Sequence, residues 1–193
     1  MLGLKLATDP RWVDIATMDL SEILSDHAWC EQKAATFGIS VISRFSEFEE
    51  VVNQVAPVIA EEWGHFRRVI KELNTRGLKL APQRKDDYVI ALLKLEIKGG
   101  SRQQAVVEKL LLCAMIEARS CERFRLLSLH IQDEKLKKFY HDFMVSEAGH
   151  YRLFIDLAKQ IMPEDHVKSR WQAILEGEAQ IMENFAFKSG RIH

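Results

Sequence analysis

Apolar residues recur at spacings of three and four along almost the whole chain, and strict alternation is sustained nowhere. A period near 3.6 buries one stripe of an α-helix, whereas a half-buried strand needs a period of two. The chain is therefore expected to be all-α. Breakers are few, with 9 Gly and 4 Pro in 193 residues, so the helices should be long. That length suits a single domain over residues 1–193, with a core large enough to fold without disulfides.

Capping signals divide the pattern into segments. Asp9-Pro10 reads as the start of a short helix, with Asp as cap and Pro at the first helical position. A first long helix is expected over 19–44, and Ser46-Glu47-Phe48-Glu49 reads as a capping box that opens a second, ending near Gly77. Pro57 falls within its first three turns, where a bend would be unsurprising. From Leu78 to Gly100 the pattern is interrupted, with a shorter helical stretch over 87–98, and this reads as a crossover. Ser101-Arg102-Gln103-Gln104 is another capping box, opening a helix to about His130. A further long helix spans 133–162, and Pro163-Glu164-Asp165 starts a last one that runs to about Phe187. This order predicts a four-helix bundle with one long crossover connection and an extra C-terminal helix.

The three cysteines, Cys30, Cys113 and Cys121, form no CxxC pair, which argues for a reduced, cytoplasmic setting and against a zinc ribbon or rubredoxin site. The opening residues are interrupted too soon, at Asp9-Pro10, to read as a signal peptide, and no apolar run approaches a membrane span. No membrane partner is expected. Net charge is −1, yet between Arg67 and Arg102 ten basic residues face four acidic ones. That stretch contains Lys79, Arg84, Lys85, Lys94, Lys98 and Arg102 on or near the crossover, a candidate phosphate-binding patch.

Two segments repeat one another: Glu62-Trp63-Gly64-His65-Phe66-Arg67 and Glu147-Ala148-Gly149-His150-Tyr151-Arg152. Each contains ExxH, whose Glu and His share one helix face. An isolated ExxH is weak evidence. The shared extension to E-x-G-H-aromatic-Arg is what marks an internal duplication. A carboxylate-bridged di-metal site also needs one carboxylate from each of the two other helices, at the same height. In an antiparallel hairpin, partners at one height lie equally far from the turn. The midpoint of Glu31 and Glu62 falls between Ser46 and Glu47, and that of Glu117 and Glu147 falls at Gln132, both at predicted breaks. The separations, 31 and 30 residues, repeat as well. Glu122 pairs less well, because its midpoint with Glu147 falls inside the following helix.

Small residues surround both single glutamates at helical spacing: Ala28, Ala34 and Ala35 near Glu31, and Cys113, Ala114, Ser120 and Cys121 near Glu117. The candidate metal ligands are thus Glu31, Glu62, His65, Glu117, Glu147 and His150. A mixed carboxylate and imidazole set suits iron or manganese. His27, one turn before Glu31, reads first as a satisfied core histidine and second as a support for that ligand. His130, His141 and His166 show no ligand spacing and are expected on the surface.

Four segments, Asp26-His27-Ala28-Trp29-Cys30-Glu31-Gln32-Lys33-Ala34-Ala35, Glu61-Glu62-Trp63-Gly64-His65-Phe66, Ile116-Glu117-Ala118-Arg119-Ser120-Cys121-Glu122-Arg123-Phe124 and Ser146-Glu147-Ala148-Gly149-His150-Tyr151, give the chain a resemblance to the hydroxylases of 2-methylthio-isopentenyl-adenosine in tRNA, the MiaE type. The resemblance spans essentially the whole chain and implies a ferritin-like fold with those six residues as ligands of two iron ions. It further implies an oxygen-dependent monooxygenase that hydroxylates the isopentenyl group, with dioxygen as co-substrate and an unidentified external electron donor. The implied partner is the anticodon loop of tRNA, from which the adenosine must be splayed out to reach a buried site. A monomer or small homo-oligomer is expected. The rival expectation is a ferritin-like ferroxidase, iron-storage or peroxide-reducing protein, built on the same ligand arrangement.

Overall fold

The structure is a computed structural model that describes residues 2–184 and 190–193. Among the described residues, seven α-helices occur in the order α1 (Trp12–Ala16), α2 (Leu20–Arg44), α3 (Glu49–Thr75), α4 (Asp87–Leu92), α5 (Arg102–His130), α6 (Glu134–Ile161) and α7 (Glu164–Glu183), with a short 3-10 helix, Leu93–Leu95, after α4. There is no strand among the described residues. The expected end of the last helix at Phe187 lies outside them. No described helix is long and apolar enough to cross a membrane.

The chain divides into two compact units, one built mainly from Asp14–Lys85, the other from the residues up to Val13, those from Asp86 through α7, and His193. In the first unit α2 and α3 form a hairpin. Asp19 caps α2 by accepting the Glu22 amide at 3.0 Å. The two helices approach closely where α2 carries Gly38: a Cβ there would lie 2.6 Å from Ile59 of α3. The helices bury Ile23, Leu24, Ala28, Ala35 and Val41 on one side and Val51, Val55, Val58, Val69 and Leu73 on the other.

The predicted capping box at Ser46 does not form. The Phe48 amide bonds the Phe45 carbonyl at 3.0 Å, so Ser46 is spent inside a tight turn; α3 starts at Glu49 with no side-chain cap. Its far end closes as expected near Gly77, whose φ of 68° places it in the left-handed region. Leu78 N to Leu73 O at 2.9 Å and Gly77 N to Asn74 O at 3.1 Å complete a Schellman motif. The helix runs unbroken through Pro57.

In the second unit α5 and α6 form the corresponding hairpin, and α7 packs on α5. The capping box at Ser101 forms with both of its bonds, and Asp133 caps α6. α5 is buried on nearly all sides, so its charged residues need partners inside the protein. Arg119, fully buried, donates to both Glu178 oxygens at 2.8 Å, and Arg170 of α7 donates to Glu108 at 2.5 and 2.8 Å. These two bridges fasten α7 to α5. The crossover helix is shorter than the expected 87–98, because its tail is drawn onto the unit instead. The Ile97 amide bonds Glu108 at 3.0 Å, Arg170 bonds the Leu95 carbonyl at 2.6 Å, and Lys109 pairs with Glu96 at 2.8 Å.

Candidate metal centre

Each unit carries one half of the duplicated motif. In the α2–α3 hairpin, Glu31 projects from α2 and Glu62 and His65 from α3, and all three are buried. The i, i+3 spacing of Glu62 and His65 sets both on the inner face of α3. His65 Nδ1 lies 3.4 Å from Glu31 Oε2 and 3.5 Å from Glu62 Oε2. One ligand atom from each of the three falls within 4.8 Å of the others. His27, fully buried one turn before Glu31, places Nε2 2.7 Å from Glu31 Oε1. Its position supports both readings: it is a core histidine, and it holds the candidate ligand.

The α5–α6 hairpin repeats the arrangement. Glu117 projects from α5 and Glu147 and His150 from α6; all are buried, with one ligand atom of each within 4.8 Å of the others. His150 Nδ1 is 3.9 Å from Glu147 Oε2. Beside them Cys121 donates its Sγ–H to the Met144 carbonyl at 3.3 Å. Burial first, then the charges of Glu147 and Glu117, push its thiol up to about 11. Glu122 turns elsewhere: it accepts from Thr8 N at 2.9 Å and Oγ1 at 2.7 Å, and from Arg119 at 2.5 Å. Its exclusion as a ligand thus agrees with the geometry.

Whether a metal fits each triad is a question of reach. Two donors on one first-row ion sit about 2.0–2.1 Å from it and so at most about 4.2 Å apart. Donor atoms that lie within 4.8 Å of one another are within a side-chain adjustment of that limit. Oxygen and imidazole donors in a dry setting suit iron or manganese chemically, and the residues therefore fit.

His130, His141 and His166 are exposed, as expected. Of the basic candidates, Lys79 and Lys85 in the first unit and Lys94, Lys98 and Arg102 in the second are also exposed. Arg84 is engaged internally: it bonds Glu22 at 3.3 Å, approaches Asp26 at 3.7 Å and donates to the Gly190 carbonyl. The ion pairs of α7 and the contacts of Thr8 had no local signal, since the partners are 59 to 114 residues apart.

The sequence model of the tRNA-(MS2IO6A)-hydroxylase (MiaE) family matches residues 2–193. A Pseudomonas putida protein named tRNA 2-(methylsulfanyl)-N(6)-isopentenyladenosine(37) hydroxylase is 31% identical over 177 residues, covering 92% of this chain and 85% of that protein. The Salmonella typhimurium protein of the same name is 32% identical over 145 residues, 73% of this chain but 52% of its own length. Among solved structures, a Synechococcus protein with aldehyde deformylating oxygenase activity superposes with a TM-score of 0.92 at 31% identity, covering 98% of this chain and 94% of that one. The fold class is accordingly the ferritin-like all-α one.

Proposed function

Because the chain belongs to the tRNA-(MS2IO6A)-hydroxylase (MiaE) family, we propose that it is an oxygen-dependent di-iron monooxygenase hydroxylating the isopentenyl group of 2-methylthio-isopentenyl-adenosine in tRNA. The observation that carries the metal part is the matched pair of buried triads, Glu31-Glu62-His65 and Glu117-Glu147-His150, one per hairpin. Each triad offers one metal position inside its own hairpin. Four carboxylates and two neutral imidazoles balance the charge of two divalent ions, which makes burial of six ionisable groups tolerable.

When bound, the two irons supply the oxygen-activating redox chemistry that side chains lack. The protein's own part is to position and exclude. Glu62–His65 and Glu147–His150 are fixed at helical spacing on rigid elements, and His27 fixes the Glu31 carboxylate through its Nε2 contact. Burial keeps water from the reacting atoms. Hydroxylation of one C–H by O2 consumes two electrons and two protons and releases one water, so an external electron donor completes the balance. Exposed Lys79, Lys85, Lys94, Lys98 and Arg102 serve RNA phosphates in this reading, and Arg84 positions the start of the crossover. The enzyme acts in the cytoplasm with its tRNA.

A second reading follows from the Synechococcus structure, equally identical to this chain: oxygen-dependent deformylation of an aldehyde. One assay separates the two. Iron-loaded protein with a chemical reductant and O2 is given isopentenylated tRNA or a long-chain aldehyde. The tRNA reading predicts a nucleoside heavier by one oxygen and no alkane; alkane or formate without any mass gain on tRNA would establish the second reading instead.

A further inference from the structure

The duplicated motif is covered differently in its two copies. On α6 the aromatic after the histidine, Tyr151, packs against Trp171 of α7, with centroids 5.8 Å apart. Its counterpart on α3, Phe66, is covered by its own helix: Trp63 stacks on it at 5.0 Å and 23°. Trp63 remains 49% exposed, although Glu62 beside it and His65 two positions on are buried. Phe66 also meets Trp29 at 6.0 Å, and Trp29 donates Nε1–H to the Ala81 carbonyl at 2.8 Å. Phe66 thus touches both indoles, of which Trp29 is tied to the crossover and Trp63 is half exposed. Leaving an indole half in water forgoes burial energy unless something covers it.

The surroundings of that indole are cationic. An open groove of about 470 Å³ continues along α3 from Phe66 past Arg67 and Lys71 to Thr75. Arg67 and Lys71 are exposed and one helical turn apart, so their head groups lie on one line with Trp63. Glu72, next to Lys71 in the chain, is already paired with Arg76 at 2.5 Å. An exposed aromatic face flanked by unneutralised cations is how proteins hold unpaired nucleotides: the ring takes a base and the cations take its phosphates.

We propose that Trp63, backed by Phe66 and flanked by Arg67 and Lys71, is a stacking site for an unpaired base of the tRNA anticodon loop. Because Trp63 faces outward where Glu62 and His65 face inward, the base it takes is a neighbour of the adenosine that reacts. Splaying one base out of a loop leaves its neighbours unstacked, and an aromatic platform recovers that stacking. The inference rests on the tRNA reading given above.

The test measures binding of an anticodon stem-loop RNA carrying isopentenyl-adenosine, as a function of salt, by wild-type protein, Trp63→Ala, Trp63→Phe and the double variant Arg67→Gln/Lys71→Gln. Thermal midpoint and iron content serve as controls. Loss of one stacked base predicts about 5- to 150-fold weaker binding by Trp63→Ala, with Trp63→Phe close to wild type. The double variant should lower the slope of log affinity against log salt by about 1.4. Unchanged affinity in Trp63→Ala overturns the site, as does an unchanged salt slope in the double variant. So does RNA binding that stays normal while turnover fails only with a protein electron donor, which assigns the patch to that donor. A wild-type protein that neither binds nor modifies the stem-loop defeats the tRNA reading itself. Normal wild-type behaviour with an indifferent Trp63→Ala defeats only the platform.

Discussion

His27 and Glu31 meet one helical turn apart, 2.7 Å between Nε2 and Oε1, both buried. Replacing His27 with Ala removes that support and leaves the carboxylate to find its own orientation. We expect iron affinity to fall about 10- to 100-fold in anaerobic titrations, and an unchanged isotherm would mean that His27 is core packing alone. Arg119 offers a contrasting case, since its guanidinium serves structure. Arg119→Met strands Glu178 in the core and should cost about 3–5 kcal/mol in urea unfolding, much of it recovered when Glu178→Gln is added. The two residues differ in how legible they were. His27 announces itself by lying four positions from a candidate ligand, whereas Arg119 sits inside the Glu117–Glu122 segment and pairs with a residue 59 positions away. Nothing local marks that partner.

The elements follow from the apolar period and the caps, and here too the failures have a physical cause. Ser101 and Ser46 open similar S-x-x-[Q/E] patterns, but only Ser101 caps. Ser46 is caught in the Phe45–Phe48 turn, a matter of the hairpin's connection that a four-residue pattern does not contain. The position of the turn was readable because an antiparallel hairpin is symmetric about it: α2 ends at Arg44 and α3 begins at Glu49, around the midpoint of the candidate ligands Glu31 and Glu62. The glycines of E-x-G-H are a separate matter. Gly64 and Gly149 lie within helices, exposed, and a Cβ at either would meet nothing within 4 Å. Packing does not require them. Gly64→Ala and Gly149→Ala should therefore each stabilise the protein by about 0.4–1 kcal/mol, seen as a rise in thermal midpoint. A fall at either position would reveal a backbone demand that the space around it does not show.

At the scale of the whole molecule, two hairpins that repeat each other in spacing, ligand type and buried geometry are joined by a basic crossover, and the family match covers nearly the full length. The six ligand candidates came from spacing; the substrate came from family resemblance, because nothing in a carboxylate–histidine set specifies which C–H bond is attacked. In the proposed reading these residues hold an oxygen-activating centre for a tRNA base. The most direct measurement is nucleoside mass spectrometry of isopentenylated tRNA after turnover by iron-loaded protein under isotopically heavy O2, beside Glu117→Ala. Wild-type protein should leave one heavy oxygen atom in the modified nucleoside, and Glu117→Ala should show neither the label nor a normal iron content. An oxygen drawn from water, no gain at all, or full labelling by Glu117→Ala would contradict that reading.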